Sequence, residues 1–386
     1  MYHLLKGIRI LEISKFISAP FACAQLAEMG AEVIKVEKAG AGDDGRVFAP
    51  LPNEQKTSLY FTSFNRNKKS IEVDFRDPKG KEIIRELIKK SDVLVTNYRP
   101  QALKGMGLTH EDVSAINPNI IELRISGFGQ SGPHSSRPAF DPVISYNASY
   151  YQNINGSYTY GPGIPADHIT SLYAAQCILS ALVYRERTGK GCNIDLSMLC
   201  SMLTMQNMQA AYYYCTGELQ MPPDGAPGGV VPVKDGAILI VAVNPNTYGR
   251  LSEVVGGVLK DPQYNEMANR IRDNKLIMDT IHEFIKDMTC KEAEELFVKN
   301  EVPVSIVKTW KDVFEDPQIQ HLGNYEMIHV DGYGEIPYSR HPMRLVGEEF
   351  EKNQSAPILG EHNEMILKDI LGYNDEQIAE LPWMKK

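Results

Sequence analysis

The sequence predicts an α/β protein with one large domain on a parallel, doubly wound sheet and a smaller α+β domain. Three observations carry this. Strand and helix patterns alternate through the first half of the chain. A Pro/Gly segment, PPDGAPGG at residues 222–229, interrupts the composition and reads as a linker. A length of 386 residues with 43% hydrophobic and 9% aromatic content supplies cores for two domains.

The elements follow in order. GIRILEIS (7–14) is a strand; PFACAQLAEMG (20–30) is a helix with Pro20 near its first position and Gly30 closing it; AEVIKVEK (31–38) is a second strand. KSIEVDF (69–75) precedes the helix DPKGKEIIRELIKKS (77–91) and the strand DVLVTNY (92–98). A helix opened by the capping-box pattern Thr109 to Asp112 then leads to the strand NIIELRISGFG (119–129). In PADHITSLYAAQCILSALVYRERTGKG (165–191) the apolar positions Ile169, Leu172, Ile178, Leu179, Leu182 and Val183 recur at helical spacing, with Arg185 and Arg187 in the last turn and Gly189 beyond. Asp167 stands just before that run, and its local reading is a helix cap.

CNIDLSM (192–198) alternates as a strand, and residues 198–218 read as one Met- and Tyr-rich helix whose stripe suits a core or a subunit interface. Beyond the linker, VVPV and AILIVAV form a hairpin around KDG, followed by helical patterns to residue 300 and the strand PVSIVKT (303–309). The expected boundaries are 1–220 for the large domain, 226–325 for the small one, and 330–386 packing back on the first.

Composition narrows the chemistry. A net charge of -9 and a pI near 5.6 disfavour nucleic acid as a partner, while leaving room for a local cationic cluster on one phosphate-bearing ligand. With no export signal and no long apolar run, the reading is a cytoplasmic protein with no membrane partner. The six cysteines show no ligand spacing and read as reduced, buried hydrophobes; the nine histidines form no HExxH or HxH pattern, so no metal is expected. The first βαβ unit ends in an acid, Glu37, but its turn, SKFISAPFA, lacks the glycines a dinucleotide pyrophosphate requires, and there is no GxxxxGK[ST] loop.

Several segments together resemble the class III CoA-transferase family, which includes the formyl-CoA and carnitine CoA-transferases and shares its fold with the alpha-methylacyl-CoA racemases. They are GIRILEIS with AP following, LAEMGAEVIKVEK with GDDGR, NRNKKSIEVDF, DVLVTNYRP, GFGQSGP with RPAFD, and ADHITSLYAAQ with RERTGKG and IDLSM; weaker similarity continues to the C-terminus. The resemblance implies a large Rossmann-like domain built from both chain ends, a small domain, and two subunits interlocked as a homodimer. It implies coenzyme A and acyl-CoA as substrates, a small carboxylic acid as acceptor, and no tightly bound cofactor.

The residue matching the family's nucleophile is Asp167, a role compatible with capping. The resemblance places CoA contacts at Phe16, Ile17, Lys38, Arg66, Lys68, Lys69, Asn97, Arg99 and Lys104. Each of those cations also has a plain reading as a solvated surface charge, and Phe16 and Ile17 read equally as core. Two departures bear on the substrate. Gly105 stands where family members commonly carry Arg, and in place of a glycine-run loop there is only APGGVVP (226–232), against oxalate or formyl specificity and toward a larger carboxylic acid. Two alternatives remain. A racemase of this fold needs a His where Phe140 stands, and a non-catalytic CoA-binding subunit would not need Asp167. A helix N-terminus is expected to keep Asp167 ionised at neutral pH.

Overall fold

The computed structural model describes residues 2–48, 58–151, 163–218 and 227–384, with the backbone of a two-residue ladder at 153–154 and 157–158. Residues 222–226 of the expected linker lie outside the described residues. The chain forms two units, Met1–Asn207 with Gly323–Lys386, and Met208–Leu322.

The first unit is built on a six-stranded parallel sheet: β1 (Arg9–Ile13), β2 (Glu32–Lys38), β3 (Lys68–Val73), β4 (Val93–Thr96), β5 (Ile121–Ser126) and β6 (Cys192–Ser197). Its order is β3-β2-β1-β4-β5-β6, which reverses direction at β1 and β4; the crevice outside their C-terminal ends is where open sheets of this kind bind ligands. Residues alternate between the two faces. Ile10, Val33, Val95 and Leu123 share a core with α1 (Ser18–Glu28), α7 (Pro165–Thr188) and α8 (Met198–Met205). Leu11, Ile34, Ile71 and Leu94 share the other core with α3 (Pro78–Lys89), α5 (His110–Ile116) and the C-terminal residues Ile366, Leu367 and Ile370. The capping box of α5 forms as its sequence pattern predicts.

A buried charge cluster of Glu12, Lys35 and Lys68 interrupts this apolar pattern. Glu12 and Lys35 are register partners on β1 and β2, and both are fully buried. Lys35 Nζ lies 2.8 Å from Glu12 Oε1 and 2.9 Å from Asp43 Oδ2, and Lys68 Nζ lies 2.7 Å from Glu12 Oε2. Burial alone would push the Glu12 carboxyl up, but the two ammonium groups overcome it and hold its pKa at about 2.

The expected single helix over 198–218 is two, α8 and α9 (Asn207–Thr216). They break at Gln206, whose buried amide donates to the carbonyl of Ala148 at 2.9 Å and to that of Met202 at 3.2 Å. The second unit carries an antiparallel sheet, β7 (Gly228–Val233), β8 (Gly236–Val241) and β9 (Val304–Ile306), in the order β9-β8-β7. Helices Pro245–Val255, Asn274–Ile285 and Cys290–Lys299 cover it over a core including Ile238, Leu251, Ile281 and Phe297. Gly228 and Gly229 open β7.

The six cysteines are unpaired. Cys23 is buried, whereas Cys200 and Cys215 are exposed, which corrects the reading of all six as interior hydrophobes.

Candidate active site

Asp167 is the third residue of α7, not its cap. The capping position is Ile164, which offers no side-chain acceptor. The cap comes instead from Asp141, the first residue of α6 (Asp141–Asn147), whose Oδ2 accepts the amide of Asp167 at 3.0 Å. Asp141 is 3% exposed, and its Oδ1 accepts the hydroxyl of Ser145 at 3.1 Å. The Ala139–Asp141 segment runs close to the end of β5 because Gly127 has no side chain; a Cβ there would meet that of Ala139 at 2.3 Å.

On its other side the Asp167 carboxylate faces the N-terminus of α1, where the amide and hydroxyl of Ser18 favour its ionised form. Ser171 Oγ ties the two helices by donating to the carbonyls of Asp167 at 2.7 Å and Ser18 at 2.8 Å. The turn before α1 is braced from below. Asn97 accepts the amide of Lys15 at 2.9 Å and donates to its carbonyl at 2.6 Å, and Asp43 Oδ1 accepts the amide of Phe16 at 3.2 Å. Phe16 takes a φ of 63°, a left-handed conformation that usually falls to glycine. The turn without glycine therefore bends sharply all the same, with Asp43 holding the bend.

Aromatic rings cluster on the residues next to Asp167 and Asp141. Phe16 meets Phe140 edge-on at 5.4 Å, and a second run passes from Tyr60 through Phe64 to Phe21 and His168. Burial, then the charges of Asp167, Asp43 and Asp141, push the Tyr60 phenol up, so it keeps its proton beside the carboxylates. Burial holds the His168 imidazole below its usual range, neutral at pH 7.

Burial first, and the Asp141 charge second, raise the Asp167 pKa to about 7; the Ser18 donors oppose them and do not prevail. The expectation that a helix N-terminus keeps this carboxyl fully ionised at neutral pH is thereby corrected. An effect of roughly 0.3–1 kcal/mol from a helix end is smaller than the cost of burial beside a like charge.

The residues expected to contact CoA fall into three groups. Lys38, Arg99 and Lys104 are exposed; Lys38 ends β2, Arg99 follows β4, and Lys104 lies in the last turn of α4 (Pro100–Met106). Phe16, Ile17 and Asn97 lie at the C-terminal ends of β1 and β4; Ile17 is buried, and the Asn97 amide is engaged with Lys15. Arg66, Lys68 and Lys69 are already paired. Arg66 is buried against Glu28, Lys68 against Glu12, and Lys69 lies 2.6 Å from Glu32 Oε1. The structure thus turns Arg66 and Lys68 inward, away from the solvent a phosphate would come from. A cavity of about 1280 Å³, lined by Gly40, Arg46, Glu72, His329, Pro357 and His362 among others, does not include Asp167.

Sequence reasoning passed over Ser18, Asp43, Tyr60 and Asp141. Asp141 was in view within RPAFD, but its link to Asp167 spans 26 residues and leaves no local periodicity.

The arrangement sets a half-buried carboxylate beside the N-terminus of α1 at the switch point of a sheet, and comparison places it in a family. Residues 5–363 match the family described as CoA-transferase family III. This chain belongs to that family. Succinyl-CoA:glutarate CoA-transferase from Homo sapiens is 34% identical to this family III protein over 388 residues, covering 98% of this chain and 88% of the human one. Succinyl-CoA--D-citramalate CoA-transferase from Chloroflexus aurantiacus is 30% identical, covering 98% and 96%. Formyl-CoA:oxalate CoA-transferase from a Bradyrhizobium species is 31% identical, covering 98% and 96%. Among solved structures, a CaiB/BaiF family protein from Brucella suis superposes with a TM-score of 0.84 at 29% identity, covering 95% of this chain and 99% of that one.

Proposed function

We propose that this family III protein moves CoA from an acyl-CoA donor to a carboxylic acid through covalent intermediates on Asp167. The observation carrying the reading is the Asp167 carboxylate itself, in the first turn of α7 and beside Ser18 at the N-terminus of α1. Ionised Asp167 attacks the donor carbonyl, the C–S bond breaks, and CoA leaves as thiolate with a mixed anhydride behind. The thiolate then attacks the Asp167 carbonyl, expelling the donor acid and leaving an aspartyl-CoA thioester. The acceptor carboxylate attacks that thioester to form a second anhydride, and the returning thiolate takes the acceptor acyl group away as the new acyl-CoA. No net proton is consumed. The Ser18 donors suit the oxyanion that develops at each attack, and the rings exclude the water that would hydrolyse either intermediate.

The named relatives support a dicarboxylic acid as acceptor and succinyl-CoA as donor, since glutarate and citramalate are both acted on with it. Arg99, Lys104 and Lys38 are assigned to the phosphates and adenine end of CoA, being the exposed cations among the residues the family resemblance implies. The same reading includes an interlocked homodimer. Phe140, packed against Phe16, cannot exchange a proton, so no racemase chemistry is assigned.

The test is Asp167→Ala. Because Asp141 acts on the backbone at this position, the variant keeps its cap and is expected to fold, bind CoA by calorimetry, and lose transfer of CoA from succinyl-CoA to glutarate. A folded variant with near-normal turnover would end the assignment.

A further inference from the structure

We infer that Asp141 is a positioning residue whose charge, held against the first turn of α7, favours the acylated form of Asp167 over the free carboxylate. The inference rests on Asp167 being the nucleophile.

The geometry has two parts. Asp141 grips the nucleophile through its backbone: Oδ2 takes the Asp167 amide at 3.0 Å, and that bond does not involve the reacting carboxyl. It therefore persists in free and covalent enzyme alike. The second part is charge. Both Asp141 oxygens accept hydrogen bonds, the pattern of an ionised carboxylate, and the residue is 3% exposed. Among the described residues no Lys or Arg pairs with Asp141 or Asp167. The groups that face the pair are neutral: the Ser18 amide and hydroxyl from α1, the Tyr60 phenol from α2 (Leu59–Phe64), the Ser145 hydroxyl on α6, and the His168 imidazole between Phe21 and Phe64. The carboxylate of Asp43, also near Tyr60, is paired with Lys35.

Two ionised carboxylates in one site repel each other, and among the described residues no cation pairs with either to cancel the repulsion. Acylation removes the repulsion. When an Asp167 oxygen bonds to the acyl carbon, its charge departs on the CoA sulfur, and Asp141 then faces a neutral anhydride or thioester. Each return to free ionised Asp167 restores the unfavourable pair. Asp141 thus raises the free nucleophile relative to both intermediates, so the interaction is spent on the chemical step rather than on binding. The cost is that Asp167 is only partly ionised at neutral pH.

The experiment compares wild type with Asp141→Asn, which can still accept the Asp167 amide but carries no charge. Each enzyme is mixed with succinyl-CoA, and the covalent adduct is counted by intact-mass spectrometry at pH 8.5; kcat/KM is measured from pH 5 to 9. The expected result is an acid limb moved down by about one pH unit or more and an adduct fraction reduced about tenfold. An unmoved limb with wild-type adduct overturns the charge role alone. Absence of any adduct in wild type would sink the nucleophile reading and this one with it. If Asp141→Asn does not fold, Asp141→Ser, which also offers an acceptor without a charge, is measured in the same two ways, and an unmoved acid limb with wild-type adduct overturns the inference.

Discussion

Arg66 and Arg99 show how much a residue's surroundings decide. Arg66 pairs with the fully buried Glu28, whose second oxygen accepts the amide of His341 at 2.6 Å. Replacing Arg66 by Ala strands a buried charge, so a loss of about 3–5 kcal/mol in urea unfolding is expected, with little change in CoA affinity per folded molecule. Arg99→Ala should do the reverse, weakening CoA binding by about 1.5–3 kcal/mol in calorimetry with unfolding unchanged. Asp167 sets the pH behaviour. Its carboxyl titrates at about 7 in the native state against an ordinary value of 3.8, so the folded protein holds an extra proton between those values. That contribution to stability is present below about pH 4 and lost as pH rises through about 7, while kcat/KM should climb over the same upper range as the nucleophile ionises. A profile of kcat/KM flat from pH 5.5 to 8.5 would contradict this.

At the scale of elements, the strands were legible because each reads as an apolar run bounded by turn residues, and the helices because their caps are local, as with Thr109 and Asp112 in α5. Two features were not. The break at Gln206 depends on the carbonyl of Ala148, and the cap of α7 depends on Asp141; both partners are distant in sequence, so no local pattern marks them. Lys35 was likewise invisible as a structural residue, since a lysine in a strand pattern reads as surface. It is fully buried, and burial would lower its pKa, but Asp43, Glu12 and Glu37 raise it instead. Lys35→Met should cost about 3–5 kcal/mol in denaturant unfolding by leaving Glu12 and Asp43 without their shared partner. Because Asp43 also holds the Phe16 amide, the same variant should lower kcat by more than it changes KM for acyl-CoA. Equal stability of Lys35→Met and wild type would show that the buried charges carry no structural weight.

The whole molecule joins its two ends in the unit that carries Asp167. Arg46, paired with Glu37, donates to the carbonyl of Pro357 at 3.1 Å, 311 residues further on; Gly360 donates to Ser70, and Asn67 pairs with Asn353. The sequence suggested that a tail would return to the first domain, but not that it would complete a buried guanidinium's hydrogen bonds. There is a consequence for biosynthesis. At about 5–20 residues per second, a ribosome needs about 15–60 s to pass from Arg46 to Pro357. During that interval the sheet's strands are made while the core residues Ile366, Leu367 and Ile370 and several backbone partners do not yet exist. The nascent chain must wait with apolar surface uncovered, and the later-made unit is free to fold before the earlier one is finished. Ribosome-stalled chains ending near residue 322 should therefore be cut by protease within the first two hundred residues, about where the full-length protein resists.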